Sequence, residues 1–383
     1  MSTPAILTAR QTAAVMIVGV IGVLIPGLQP QLLGALLAEA RLSTSALGLL
    51  ATAELLAMGI AAGTAGWLLP VDRLRLIAAS ALVATAALDL ATPFASGGGL
   101  FAMRIAAGFG EGVLIWLAIG LIVRAARPER WSGIYLALQT LAQLALATAM
   151  GLTIVPLFGS AGGFTLLALV TVLGLAALPW FPRAYADLDH GDAAGTALPA
   201  RGIVALVGVT LILAFIVSVW VYVEPLGLQR GIDAATVHLI APLSLAMQVA
   251  GAAAAAMLAG RMSARWVVVA VTIANLVLLA VMAAPPSTAA FVAATAIFGF
   301  LWLFAMPFQV PILIAADPSR RAATLIGGAQ LVGSSLGPFI AAFLVSDRDV
   351  GPVLWFGAAC AVAGTIALVG ARMGRLAAAP RPA

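Results

Sequence analysis

The chain has 383 residues, 63% of them hydrophobic and 9% charged, with a formal net charge of +5. So little polar surface cannot clothe a water-soluble domain of this length, so lipid must be the solvent for most of it. Nineteen arginines, no lysine, one cysteine and two histidines exclude a P-loop or Schiff-base lysine, an internal disulfide and a histidine cluster for a transition metal.

Twelve apolar runs follow one another, at about 12–37, 46–69, 76–95, 99–123, 132–157, 162–182, 202–224, 236–259, 266–284, 288–314, 322–346 and 351–371. Each approaches or exceeds the ~20 residues a helix needs to cross a bilayer. The first is too long for a signal-peptide core and is read as an uncleaved span. The gaps between runs alternate in arginine. One set, with the termini, holds Arg10, Arg73, Arg75, Arg124, Arg127, Arg130, Arg183, Arg201, Arg261, Arg265, Arg320, Arg321, Arg372, Arg375 and Arg381, and the other holds only Arg41, Arg230 and Arg348. Fifteen against three places the first set and both termini in the cytoplasm. Because these arginines are scattered over separate segments, the basic character reflects topology, and no nucleic-acid partner is expected.

Span 1 carries Pro26-Gly27-Leu28-Gln29-Pro30-Gln31. Its prolines remove backbone hydrogen bonds, and irregular helix at membrane depth commonly lines a cavity, which makes Gln29 a candidate substrate contact. Span 2 holds Glu54 well inside the apolar run, and span 3 holds Asp89 about two turns from its end, where water alone would explain it. Span 4 contains Arg104 and Glu111. Seven residues apart, they share a helix face with a rise of ~10 Å, so they should need a bridge to meet. Buried ionisable groups are costly in hydrocarbon, and these four are the candidate proton-coupling set: Glu111 as the group that binds and releases a proton, Arg104 as its modulator, Glu54 and Asp89 as further members. The competing reading is that they only fix helix packing.

Span 5 places Gln139 and Gln143 one turn apart, span 8 does the same with Ser244 and Gln248, and span 11 with Gln330 and Ser334. Substrate contact and interhelix hydrogen bonding explain such stripes equally well. Trp302 and Gln309 share a face of span 10, next to Pro307 and Pro311, and are candidate substrate contacts. Trp220, Tyr222 and Glu224 close span 7 and His238 opens span 8, all as expected interfacial residues. Gly59 and Gly63, Gly108 and Gly112, and Gly333 and Gly337 are each spaced for close helix approach.

The one long polar connection, 183–201, carries Asp187, Asp189, His190 and Asp192, a solvating linker in preference to a cation site. It divides an N-terminal six-helix bundle, 1–182, from a C-terminal one, 202–383. Ala126-Arg127-Pro128-Glu129-Arg130 and Ala316-Asp317-Pro318-Ser319-Arg320 repeat an A-x-P-x-R pattern 190 residues apart, half the chain length.

Twelve spans in two halves, short outer loops, a central linker and Arg104-Ile-Ala-Ala-Gly108-Phe-Gly110-Glu111-Gly112 in span 4 resemble the major facilitator superfamily, in particular the compact bacterial efflux permeases of the drug:proton antiporter and arabinose-efflux type. Gly66, Asp72, Arg73 and Arg75, with Gly260-Arg261-Met262-Ser263-Ala264-Arg265, stand where that family carries its signatures between spans 2 and 3 and spans 8 and 9. The resemblance implies an all-α integral membrane protein of two pseudo-symmetric six-helix bundles, working as a monomer in a bacterial inner membrane. It also implies no cofactor and a proton gradient as the energy source. The expected partners are a small-molecule substrate and the lipid bilayer. Three carboxyls against one arginine in the span interiors favour export of a neutral or cationic amphiphile, with uptake of a carboxylate bound at Arg104 as the alternative. No loop is rich enough to gather a nucleophile and an acid, so an enzyme is not expected.

Overall fold

The computed structural model describes residues 8–124, 128–185, 198–258, 261–317 and 321–370. The acidic linker residues 187–192 and the full A-x-P-x-R segments lie outside or only partly within the described residues. Every regular element among the described residues is helical. That follows from the solvent, since in hydrocarbon each backbone N–H and C=O must be satisfied within its own helix.

In chain order the helices are α1 (Ala9–Ala38), α2 (Thr44–Leu68), α3 (Leu74–Ala91), α4 (Gly97–Arg124), α5 (Pro128–Ala149) and α6 (Val155–Gly174). Then follow α7 (Ala200–Gln229), α8 (Ala234–Leu258), α9 (Ala264–Ala283), α10 (Thr288–Ala316), α11 (Ile326–Ala342) and α12 (Pro352–Gly370). Ten helical stretches are long and apolar enough to cross a membrane. One of these, Gly133–Trp180, holds both α5 and α6, and the apolar α11 is shorter at 17 residues. Each expected span therefore corresponds to one helix. Large side chains such as Leu157, Leu173, Trp355 and Ile366 lie exposed on the helix surfaces, as lipid-facing residues must.

The chain forms two compact units: Met1–Leu42 with Ala53–Ala193, and Ser43–Thr52 with Ala194–Ala383. In the first unit, α1 is interrupted at Val23 (φ −113°, ψ 16°), three residues before Pro26. Helices α5 and α6 are joined through a π-helical turn, Met150–Ile154, and the reversal is made at Gly159, whose φ of +60° and ψ of −153° suit only a residue without Cβ. The Glu39 carboxylate secures this corner. It accepts from the Ser160 amide at 2.6 Å and the Ser160 hydroxyl at 2.5 Å, while Arg41 donates to the Ser160 hydroxyl and to the carbonyls of Thr92 and Ala95. At the opposite end, Arg75 donates to the carbonyls of Pro179 and Phe181, and the Tyr185 amide reaches the Val71 carbonyl. The chain leaving α6 is thereby bound to the α2–α3 turn.

Glycines set the closest helix crossings. A Cβ on Gly108 would collide with the carbonyl oxygen of Glu54, and one on Gly112 with that of Met58, so α4 packs directly on the α2 backbone. In the second unit, Gly299 stands in the same relation to the Ser244 carbonyl and Gly251 to that of Phe300, which packs α10 on α8. Ser244 is 190 residues after Glu54, and Gly299 is 191 after Gly108. Within each unit the same crossing is built at nearly the spacing of the A-x-P-x-R repeat. Gly333 and Gly337 similarly press α11 onto the backbone of α7 at Thr210 and Ala214. Gly63, by contrast, has open space around its missing Cβ, so close approach is not its role.

Candidate functional site: a buried guanidinium with three carboxyls

Arg104 is 1% exposed, and the carboxyls of Glu54 (1%), Asp89 (2%) and Glu111 (4%) surround it. All four belong to the first unit. The Arg104 Nε donates to Glu54 Oε1 at 2.8 Å and Nη2 forms a second, shorter bond to the same oxygen. Nη1 donates to Asp89 Oδ1 at 2.6 Å and reaches the Thr92 hydroxyl at 3.4 Å. Nη2 also lies 3.4 Å from Glu111 Oε1. The ring of Phe164, on α6, sits 5.0 Å from the guanidinium carbon and adds a cation–π contact.

The backbone explains why these groups meet. Without a Cβ on Gly108, α4 comes close enough to α2 for Arg104, one turn earlier, to lie beside the Glu54 side chain. Gly22 of α1 lies against the Glu111 carbonyl, at 2.7 Å from the position its Cβ would take, next to the break at Val23. Two expectations are corrected. Arg104 and Glu111 touch directly, because helical side chains lean toward the N-terminus and Glu111 leans back toward a long, extended arginine. Asp89 is enclosed and ion-paired, not held by water at a span end.

The three carboxyls are not held equally. Glu54 and Asp89 each take a bond of 2.8 Å or less from the guanidinium, whereas Glu111 has one contact at 3.4 Å and no partner for Oε2. One guanidinium balances one carboxylate. With all three ionised the cluster would carry −2 in a low-dielectric interior. Gln29 approaches the Glu54 carboxyl without closing a hydrogen bond, and neither its amide oxygen nor its nitrogen has a partner. It is the candidate from span 1 that belongs to this site.

Of the remaining expected site residues in the first unit, Gln143 is committed to the Val23 carbonyl at 2.6 Å, where it satisfies the broken helix, and Gln139 is half-buried. In the second unit Trp302 meets Trp220 edge-on with ring centroids 5.9 Å apart, and Gln248 is buried with no partner for its amide nitrogen. Ser244 donates to the Thr295 carbonyl and so joins α8 to α10, while Gln330 is half-buried on α11. Gln309 lines a small cleft with room for roughly one water molecule, together with Asn275, Thr272, Phe215 and Ala305. The side-chain oxygens of both Gln309 and Asn275 are buried there without a partner. Asn275 was not among the expected residues, although it is the only amide in the apolar run of α9.

Trp220, Tyr222 and Glu224 are also corrected. Their expected interfacial position gives way to burial at 1%, 0% and 2% exposure. The reason is length, for α7 runs on to Gln229, five residues past the expected end of span 7, and Leu213–Gly227 is enclosed on every face.

No protein-family model matches the chain, and no curated protein matches it. Solved structures do. The nucleoside transporter NupG, in a mutant form, superposes with a TM-score of 0.70 at 12% identity, covering 94% of this chain and 99% of its own. A D-xylose–proton symporter gives 0.71 at 14% identity, covering 94% and 96%. A bacterial homolog of the human lysosomal transporter Spinster, inward-facing and unoccupied, gives 0.63 at 16% identity, covering 97% and 98%. Identity this low speaks to architecture alone, and together with the twelve apolar helices among the described residues it shows that the chain has the major facilitator fold.

Proposed function

We propose that this chain is a secondary active transporter of the major facilitator superfamily, a monomer in a bacterial inner membrane that exports a small neutral or cationic amphiphile in exchange for protons by alternating access. The observation that carries the reading is the imbalance around Arg104, three buried carboxyls on one guanidinium, with Glu111 the least held. A proton arriving on Glu111 removes one negative charge from an enclosed site whose packing depends on the α2–α4 crossing. Occupancy and helix arrangement are then coupled through a single residue. One of the similar structures is a proton symporter, which agrees with a proton gradient as the energy source.

In this reading Gln29 is the unsatisfied amide beside the charged cluster of the first unit, and within the second unit Trp302, Gln248 and Gln309 are candidate aromatic and hydrogen-bonding contacts for the substrate. Uptake of a carboxylate bound at Arg104 loses support, because the guanidinium already faces three carboxyls of its own chain. The test is a thermal-shift screen of purified protein against neutral, cationic and anionic amphiphiles, followed by proteoliposome flux of the stabilising compounds. Stabilisation and pH-gradient-driven flux of a neutral or cationic compound support the reading. Flux of anions alone, or none that responds to the gradient, contradicts it.

A further inference from the structure

The second unit holds a buried titratable pair that the cluster at Arg104 does not use. Glu224, on α7, is 2% exposed, and its Oε2 lies 3.9 Å from Nδ1 of His238 on α8. Its Oε1 has no hydrogen-bond partner. The His238 side chain is only 19% exposed. Both helices carry a proline within the same stretch. Pro225 follows Glu224 directly and cannot donate to the Val221 carbonyl, and Pro242 cannot donate to the carbonyl of His238 itself, four residues back. Backbone oxygens deprived of their helical donor at membrane depth require a polar or wetted surrounding.

The other titratable groups nearby are few. Tyr222 stands on α7 and Cys360 on α12, while Arg230, Asp233, Asp347, Arg348 and Asp349 occupy the loops beyond the helix ends, Asp347 accepting from the Thr44 amide. Helices α10 and α11 and residues 43–52 bring no titratable side chain. Arg230 is turned to the segment around Asp349 and Gly351, and Asp233 is engaged with Thr236. At the far end of α7, Gly202 faces Ala322 and Asp317. No described arginine forms an ion pair with Glu224, so the positive charge that a buried carboxylate demands must come from a proton, carried on its own oxygen or on the imidazole.

We infer that Glu224 and His238 form a second proton-holding site, contained in the second unit and separate from the cluster at Arg104. In one state the imidazolium Nδ1–H faces the carboxylate. In the other the proton sits on the carboxyl oxygen and the imidazole is neutral. At 3.9 Å the transfer needs a side-chain rotation or one intervening water. The inference rests on the geometry of the second unit and is independent of the role given to Glu111.

Infrared difference spectroscopy of the purified full chain, stepped from about pH 5 to about pH 9, tests it. Expected is a pH-responsive carboxyl stretching band that disappears in Glu224→Gln and whose midpoint moves by about one pH unit or more in His238→Gln, while Glu111→Gln leaves it in place. A Glu224→Gln spectrum indistinguishable from wild type, or a band indifferent to His238→Gln, overturns the pair. Should Glu224→Gln not accumulate, labelled-histidine NMR serves instead, because His190→Gln leaves a single imidazole in the chain. Its ring signals must change over the same pH interval as the carboxyl band, and a ring that stays constant across that interval overturns the inference.

Discussion

Glu54 meets Gly108 through its backbone and Arg104 through its side chain, so one helix crossing fixes both the approach of α2 to α4 and the ion pair at the centre of the first unit. The glycine is therefore part of the charged site, although it carries no chemistry itself.

Gly108→Ala puts a methyl group where the Glu54 carbonyl now lies, and backbone cannot yield as a flexible side chain would. Overpacking of this kind costs about 1–3 kcal/mol. A lowered melting temperature in detergent is expected, whereas Gly63→Ala, with open space around it, should leave the temperature unchanged. Equal behaviour of the two variants would count against the crossing.

Removing Arg104 leaves three buried carboxyls without their cation. Arg104→Gln should destabilise the protein by about 3–5 kcal/mol at neutral pH, the usual penalty for breaking a buried pair from one side. Acid should reduce the loss, since protonated carboxyls need no cation. Denaturation of both proteins at neutral and acidic pH measures this, and a difference that does not narrow in acid contradicts the arrangement.

Asp233 lies outside the spans at the start of α8, where its carboxylate accepts from the Thr236 amide at 2.9 Å and the Thr236 hydroxyl at 2.7 Å. These bonds hold its carboxyl below the ordinary value. A depressed folded-state value gives stability that is present above the unfolded carboxyl's pKa of about 3.9 and is lost as the pH falls through the folded one. Asp233→Ala should lower the melting temperature at neutral pH and approach wild type in strong acid. A pH-independent difference would show that the cap does not depend on charge.

Trp302→Ala and Gln309→Ala should weaken apparent substrate affinity several-fold while leaving the folded fraction and the infrared carboxyl bands unchanged, because neither side chain titrates. Gln309 in particular has an unpartnered buried oxygen, so its loss should not unfold the protein. Unaltered affinity in both variants would remove α10 from the proposed site.

The helices and the charged span residues were legible in the sequence because both rest on simple rules: apolar runs of bilayer length, arginines alternating between gaps, and the rarity of charge in hydrocarbon. What was not legible was pairing. Depth counted along its own span makes Asp89 explicable by water, yet its partner comes from 15 residues away on another helix. Glu54 and Arg104 are 50 residues apart, and no local pattern announces that contact. Glu224 and Trp220 were misplaced for a different reason. The Glu-Pro step looked like a helix end, but α7 absorbs Pro225 and continues to Gln229. Asn275 gives no sequence signal, because a single amide in an apolar helix has no periodicity to detect.

Glu111→Gln probes Glu111 as the proton carrier, since it keeps the side chain's size while fixing the uncharged form. Purified variant and wild type would be reconstituted in proteoliposomes with an imposed pH gradient, using a compound that stabilises both in the thermal-shift screen. The variant should still bind that compound and exchange it down its own gradient, but accumulate none in response to the pH gradient. Gradient-driven accumulation at the wild-type rate would contradict Glu111 as the proton carrier.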